Sequence, residues 1–435
     1  MFMLVVYNLL MKSVMYLRVR FAVRAFVATL FAVIIGVVGS LDFADATMRS
    51  PIPAPTTAGT TTADPNACPP PLDKKPRVRS KQHATPTVKQ WNTIFSQPTV
   101  TRTWLGGDVN LSISADGDIW WLYGDTLMRS GSEHELLTST ALYVARGTHT
   151  PRNVSYRDEN GVDTPTLLPS TLTEKYWPSS VIPHPTERNR YLLAASRINT
   201  YGVGMWDFQL VGSTVFDISL TPGDNPTITR HGAYRTPQPT PHTAPIQWGS
   251  AMVAEGNSIY LYGTQEVLGS VGKDVYLARA PIPTIRDTTT WTFLSADPHT
   301  TPNVNNAKPI IDASNGLPHT FSVIPHPEQD GFLMVAKENE GIGDHVVAAA
   351  GLSPAGPWDT FTPIINTPPR GNIWSYMAIA HPDLPTRAPG RNKKALLITV
   401  SENIVGENSW QTLTQNPDLY RPRFFKVAYR NLPRN

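Results

Sequence analysis

The chain has 435 residues, with 37 Lys and Arg against 34 Asp and Glu, a net charge of +3 and one cysteine. Scattered basic residues at so small a net charge exclude a nucleic-acid track and an electrostatic claim on a membrane surface. A single cysteine excludes an intrachain disulfide framework, even for an exported protein.

In chain order, Arg18, Arg20 and Arg24 precede an apolar stretch from Ala25 to Val38, and Ala44–Ala46 offers a small-x-small cleavage site. The apolar run falls short of the roughly 20 residues a spanning helix needs. Residues 1–46 therefore read as a secretory signal, with an N-terminal anchor as the alternative, and the protein as secreted or held at the cell envelope. Residues 47–89 are Pro/Thr-rich and read as a disordered linker carrying the incidental Cys68. Residues 90–435 remain for one large folded domain.

That domain opens with "GGDVNLSISADGDIWWLYGDT", Gly106 to Thr126. Alternating apolar residues on both sides of Asp116-Gly117 predict a hairpin with a two-residue turn. In that register Ser114 faces Ile119, Asn110 faces Tyr123 and Asp108 faces Asp125. Like charges directly opposite one another are destabilising, so the pair calls for a reason.

Further along, "SVIPHP" occurs at Ser180–Pro185 and again at Ser322–Pro327, and "MAIAHP" at Met377–Pro382 is a looser copy. Each is followed across a turn by an apolar strand, and the stretch near Trp248 shares the layout without the His-Pro. From Trp91 on, no helical period is evident. Five units result, with inner strands starting near Asp108, Ser180, Ser250, Ser322 and Tyr376. Units of this kind predict an all-β fold, a five-bladed β-propeller with four-stranded antiparallel blades, with a two-sheet sandwich as the rival. Aligned on their apolar residues, the other units pair Ser180 with Ser196, Ser250 with Thr264, Ser322 with Lys337 and Tyr376 with Ser401. Only the first unit carries two acids.

Two facing carboxylates suit glycoside cleavage: one holds a proton for the departing oxygen while the other stays ionised to attack or to activate water. Mutual repulsion and partial desolvation separate their proton affinities. The competing reading, that Asp108 and Asp125 merely cap turns, does not explain their absence from four sister units. Trp177, Trp248 and Trp374 precede inner strands, where they stack on sugar rings or pack between units; the sequence leaves both open. Tyr376 is a candidate at the same rim. Glu266, Glu338, Glu340 and Glu402 end second strands there and are candidate further carboxylates. Arg421 and Arg423 either bind hydroxyls or close the fold through buried pairing. His184, His326 and His381 hold one repeat position on separate units and read as turn-packing residues, so no metal ligand set is assigned.

"GGDVNLSISADGDIWWLYGDT", "WSYMAIAHP" at Trp374–Pro382, "VSEN" after it and "LYRPRF" at Leu419–Phe424 together resemble an actinobacterial family. That family was long catalogued as a domain of unknown function and is now associated with endo-D-arabinanase activity. The resemblance spans roughly Thr101 to Tyr429. It implies a five-bladed propeller hydrolase cutting α-D-arabinofuranosyl chains of arabinogalactan and lipoarabinomannan, with its essential aspartates at Asp108 and Asp125. Loops between Gly147 and Lys175 and between Thr221 and Pro245 depart from the pattern. The expectation is a monomeric, cofactor-independent and metal-independent endo-glycosidase whose partner is a cell-wall arabinan, with no nucleic acid and no membrane contact beyond the N-terminal segment. A non-catalytic glycan-binding propeller and a glycosidase for L-arabinan or a fructan are the alternatives.

Overall fold

The computed structural model describes residues 86–434 apart from 98–99, 102, 203–206, 241–243, 296–298, 388–393 and 407. The expected signal segment and most of the expected linker lie outside the described residues. Among the described residues the fold is all-β, with six sheets and two short α-helices.

The opening hairpin forms as its local chemistry dictates. Asp116 and Gly117 both take positive φ (52° and 95°), the conformation a two-residue turn between twisted strands requires. Leu111–Ala115 then pairs with Asp118–Leu122 in the register expected from the sequence. Thr140–Val144 and Pro151–Asn153 complete this first sheet.

Four more sheets follow in order, each beginning with an innermost strand: Glu174–Pro183, Gln247–Glu255, Ser322–Pro325 and Ile373–Arg387. Innermost strands of consecutive sheets touch, and Ile373–Arg387 also touches Leu111–Ala115. All five line one largely apolar cavity of about 400 Å³. The apolar core is divided between these sheets. Trp120 and Leu122 pack toward the second sheet with Leu193 and Phe216. On the opposite face, Ile119, Trp121 and Tyr123 pack with Leu397 and Phe424 of the fifth. A strand buried on both faces reads as the continuous apolar run seen at Ile119–Tyr123.

The sheets are not uniformly four-stranded. In the second sheet Ser155–Arg157 adds in parallel to Thr227–Arg235, so the two departing loops meet and extend one sheet to six strands. The third sheet has five strands and the fifth has three among the described residues. Trp104–Gly107, Thr126–Ser130 and Glu133–Leu137 form a small separate sheet.

The absence of helix expected from Trp91 on is corrected by Val88–Phe95 and Ser409–Gln415. Val88–Phe95 starts inside the expected linker, with a capping box between Thr87 and Gln90. Only two turns long, it draws its stability from tertiary packing: Trp91 stacks on Phe424 and meets Trp121 edge-on. No helix among the described residues is long and apolar enough to cross a membrane.

Candidate active site

Asp108 sits just before the first inner strand and Asp125 just after the second strand. Their backbones are joined: the Asp108 amide donates to the Asp125 carbonyl (3.2 Å), and the Gly124 amide donates to the Asp108 carbonyl (3.0 Å). Between Asp108 and the regular strand, Val109 and Asn110 adopt left-handed conformations with φ of 69° and 61°. A β-branched residue there is strained, at a cost of roughly 1–3 kcal/mol, and persists only where its surroundings over-determine it. They do so here: the Val109 amide (3.1 Å) and the Asn110 side-chain amide (2.9 Å) both donate to Ser401 Oγ of the fifth sheet. The strain re-aims Asp108 out of strand alternation.

Asp108 is 8% exposed, and its Oδ2 accepts from the hydroxyls of Tyr376 (2.8 Å) and Tyr420 (3.0 Å). Asp125 is half-buried, and its Oδ1 accepts from Trp177 Nε1 (2.7 Å). Burial pushes the Asp108 carboxyl up to about 6, opposed by the two tyrosine hydrogen bonds. Burial and then the Asp108 charge push Asp125 to about 7, opposed by the Trp177 hydrogen bond and Lys175. Two neighbouring acids, both raised in proton affinity, can divide the roles of proton donor and ionised carboxylate near neutral pH.

Gly106 and Gly124 make this convergence possible. A Cβ on Gly106 would lie 2.5 Å from the Tyr420 carbonyl oxygen, so only glycine lets the Tyr420 segment pack this closely. A Cβ on Gly124 would lie 2.6 Å from Asp108 Oδ1 and 2.7 Å from Val109 Cγ2. Gly124→Ala is expected to displace the Asp108 carboxylate, read as a changed carbon-13 resonance and titration of that carboxyl, with a circular-dichroism spectrum like wild type. An unchanged carboxyl resonance would show that the site accommodates the added methyl without displacement.

Of the residues selected from the sequence, the structure brings together Asp108, Asp125, Trp177 and Tyr376. Trp374, partly exposed, lies against Gly341 instead. Trp248 is fully buried, its Nε1 donating to the Pro237 carbonyl (2.8 Å) beside Phe293; it is a core residue, which corrects its selection for substrate contact. Glu338 is held in its own hairpin, its Oε1 accepting from the Asp344 amide and from the His345 amide and ring. Glu340 accepts from the His319 amide, and Glu266 lies 3.6 Å from His319 Nε2. Glu402 faces a different pocket of about 330 Å³, where Arg370 (2.6 Å) and Arg423 (2.8 Å) take its two oxygens. Arg421 is buried and donates to the backbone carbonyls of Leu105, Phe95 and Gln97. Both charged groups are thereby committed to internal partners, which corrects the expectation of substrate contact.

The sequence reading missed Tyr420. It stood in the quoted "LYRPRF", but its approach to Asp108 depends on packing against Gly106, which no local pattern encodes. His184 and His326 each accept backbone amides at Nδ1 in turns of separate sheets. His381 bridges Ser112 and Thr399. Among the described residues no group of three or more His, Cys, Asp or Glu side chains is placed to hold a metal ion.

Among solved structures, the chain is similar to the α-L-arabinanase of Cellvibrio cellulosa, determined with arabinohexaose. Identity is 10%, covering 74% of this chain and 91% of that one, with a TM-score of 0.40. It is also similar to the α-L-arabinofuranosidase of Podospora anserina (10% identity, 77% and 94% covered, TM-score 0.40). A third is the exo-β-1,3-galactanase of Clostridium thermocellum (10% identity, 74% and 59% covered, TM-score 0.42). No curated protein matches the chain. The family described as a domain of unknown function, DUF5005, matches residues 89–429, and the chain belongs to it.

Proposed function

We propose that this protein is an exported glycoside hydrolase that cuts α-D-arabinofuranosyl linkages within cell-wall arabinan, using Asp108 and Asp125. The observation that carries the reading is the pair itself: two carboxylates joined through their backbones, both raised in proton affinity and both held by neutral donors. Structural ion pairs place a carboxylate against a cation, as Glu402 does here. Setting two acids together in a strained, largely buried site costs stability and serves chemistry.

In the reaction, the protonated member gives its proton to the glycosidic oxygen as the bond to the anomeric carbon breaks. The ionised member attacks that carbon, or takes a proton from the water that does so, and one water is consumed per cut. The five sheets, with successive inner strands in contact around one cavity, fit the blades of a five-bladed propeller. The motifs shared with endo-D-arabinanases support the choice of D-arabinan, and the N-terminal arginine-then-apolar segment supports export.

Purified protein incubated with arabinogalactan is expected to release arabino-oligosaccharides, with kcat/KM peaking between about pH 6 and about pH 7. A parallel panel of L-arabinan and fructan tests the substrate. Binding without release from any glycan would make the protein a glycan-binding module instead.

A further inference from the structure

We propose that Tyr376 and Tyr420 are positioning residues that clamp Asp108 as the ionised member of the pair, leaving Asp125 as the proton donor. This deepens the reading of the pair as hydrolytic and rests on it. The argument is one of hydrogen count at each oxygen. Asp108 Oδ2 already faces two hydroxyl donors, from Tyr376 and Tyr420. A proton on that oxygen must turn at least one of these hydroxyls away from it, Tyr420 toward the Asp125 carbonyl, and so forfeits a bond to the carboxylate. The other oxygen, Oδ1, faces Gly124, where an added Cβ would come within 2.6 Å of it. Hydrogen bonds from donors to an ionised acceptor are the strong ones, and they favour the charged form.

Asp125 is built the other way. One oxygen accepts a single N–H from Trp177, and among the described residues no hydrogen bond is made to Oδ2. The half-buried carboxyl therefore keeps an oxygen free to carry a proton toward a glycosidic oxygen. The Asp108 charge beside it raises its proton affinity, and Lys175 draws it down only in part. Thus Tyr376, Tyr420, Trp177 and Lys175 are the groups acting on the pair, and the two phenols stay protonated donors at any working pH. Burial and the Asp108 charge push both well above the usual tyrosine range.

The two tyrosines are not equivalent. The Tyr420 hydroxyl is shared with the Asp125 backbone carbonyl at 3.1 Å. The Tyr376 hydroxyl makes the shorter bond to Asp108, 2.8 Å against 3.0 Å, with no second acceptor among the described hydrogen bonds. Tyr376 therefore contributes the larger share.

The test is the pH dependence of kcat/KM on arabinogalactan for Tyr376→Phe, Tyr420→Phe and Trp177→Phe. Loss of one hydrogen bond to a charged acceptor corresponds to a shift of about one pH unit. Each tyrosine variant is expected to move the acid limb upward by about that much, Tyr376→Phe further than Tyr420→Phe, with activity recovering as pH rises. Trp177→Phe is expected to move the alkaline limb upward instead. A uniform loss with both limbs unmoved would reduce the tyrosines to packing, and a tyrosine variant that moves the alkaline limb would reverse the roles of the aspartates.

Should wild type release nothing from any glycan, the hydrolytic reading fails and the clamp is read separately. Carbon-13 NMR titration of the aspartate carboxyls, assigned with Asp108→Asn and Asp125→Asn, is expected to show Asp108 ionising first. Asp125 ionising first would overturn the clamp.

Discussion

Asp108→Asn is expected to lower kcat on arabinan by about 10²–10⁴-fold and, at pH 8, to raise the melting temperature by a few degrees. The first effect follows from removing the ionised carboxylate. The second follows from burial. The folded protein holds the Asp108 proton more tightly than the unfolded chain does, its carboxyl standing at about 6 against 3.8. The stability this gives is intact below about pH 4 and is lost as pH rises through about 6, beyond which the fold bears a buried carboxylate. At pH 8 that burden is at most about 3 kcal/mol. Asparagine removes it while still accepting from the tyrosines through its side-chain carbonyl. Calorimetry should therefore show the variant's advantage at pH 8 and its disappearance at pH 4. Lost activity with gained stability marks a residue retained for chemistry. Full activity in Asp108→Asn would remove Asp108 from the reaction.

Arg421→Met is expected to destabilise the fold by about 3–5 kcal/mol, read as a lower urea midpoint. The guanidinium is 2% exposed and donates to carbonyls from three segments: the end of the helix Val88–Phe95, the turn after it at Gln97, and Leu105 in the strand leading to Asp108. Methionine fills much of the volume but leaves those acceptors without their donor. Lysine is expected to rescue poorly, because one ammonium cannot reproduce the planar fork that reaches all three. Arg421 follows Tyr420 in sequence, so a loosened segment should also weaken the hold on Asp108 and lower activity in the still-folded fraction. Unchanged stability in Arg421→Met would show that this cation does not pin the C-terminal segment to the domain.

By itself the sequence determined the hairpin and its two aspartates, because period-two alternation and an Asp-Gly turn are local and set register over a few residues. It also determined the order of the repeated inner strands, since the same apolar pattern recurs at Ser180, Ser322 and Tyr376. It could not determine the register of the later hairpins. In the second sheet the register shifts between Pro178 and Ser180, so Trp177, not Ser180, faces Ser196. In the fourth, Ser322 pairs with Val335, not with the expected Lys337. Trp177 and Trp248 hold like places in their units, yet one donates to Asp125 and the other is sealed in the core. Tyr420 reaches Asp108 across 312 positions. Such meetings depend on how whole sheets pack. Identical local patterns are compatible with many packings, so only the tertiary structure decides which side chains close on the pair.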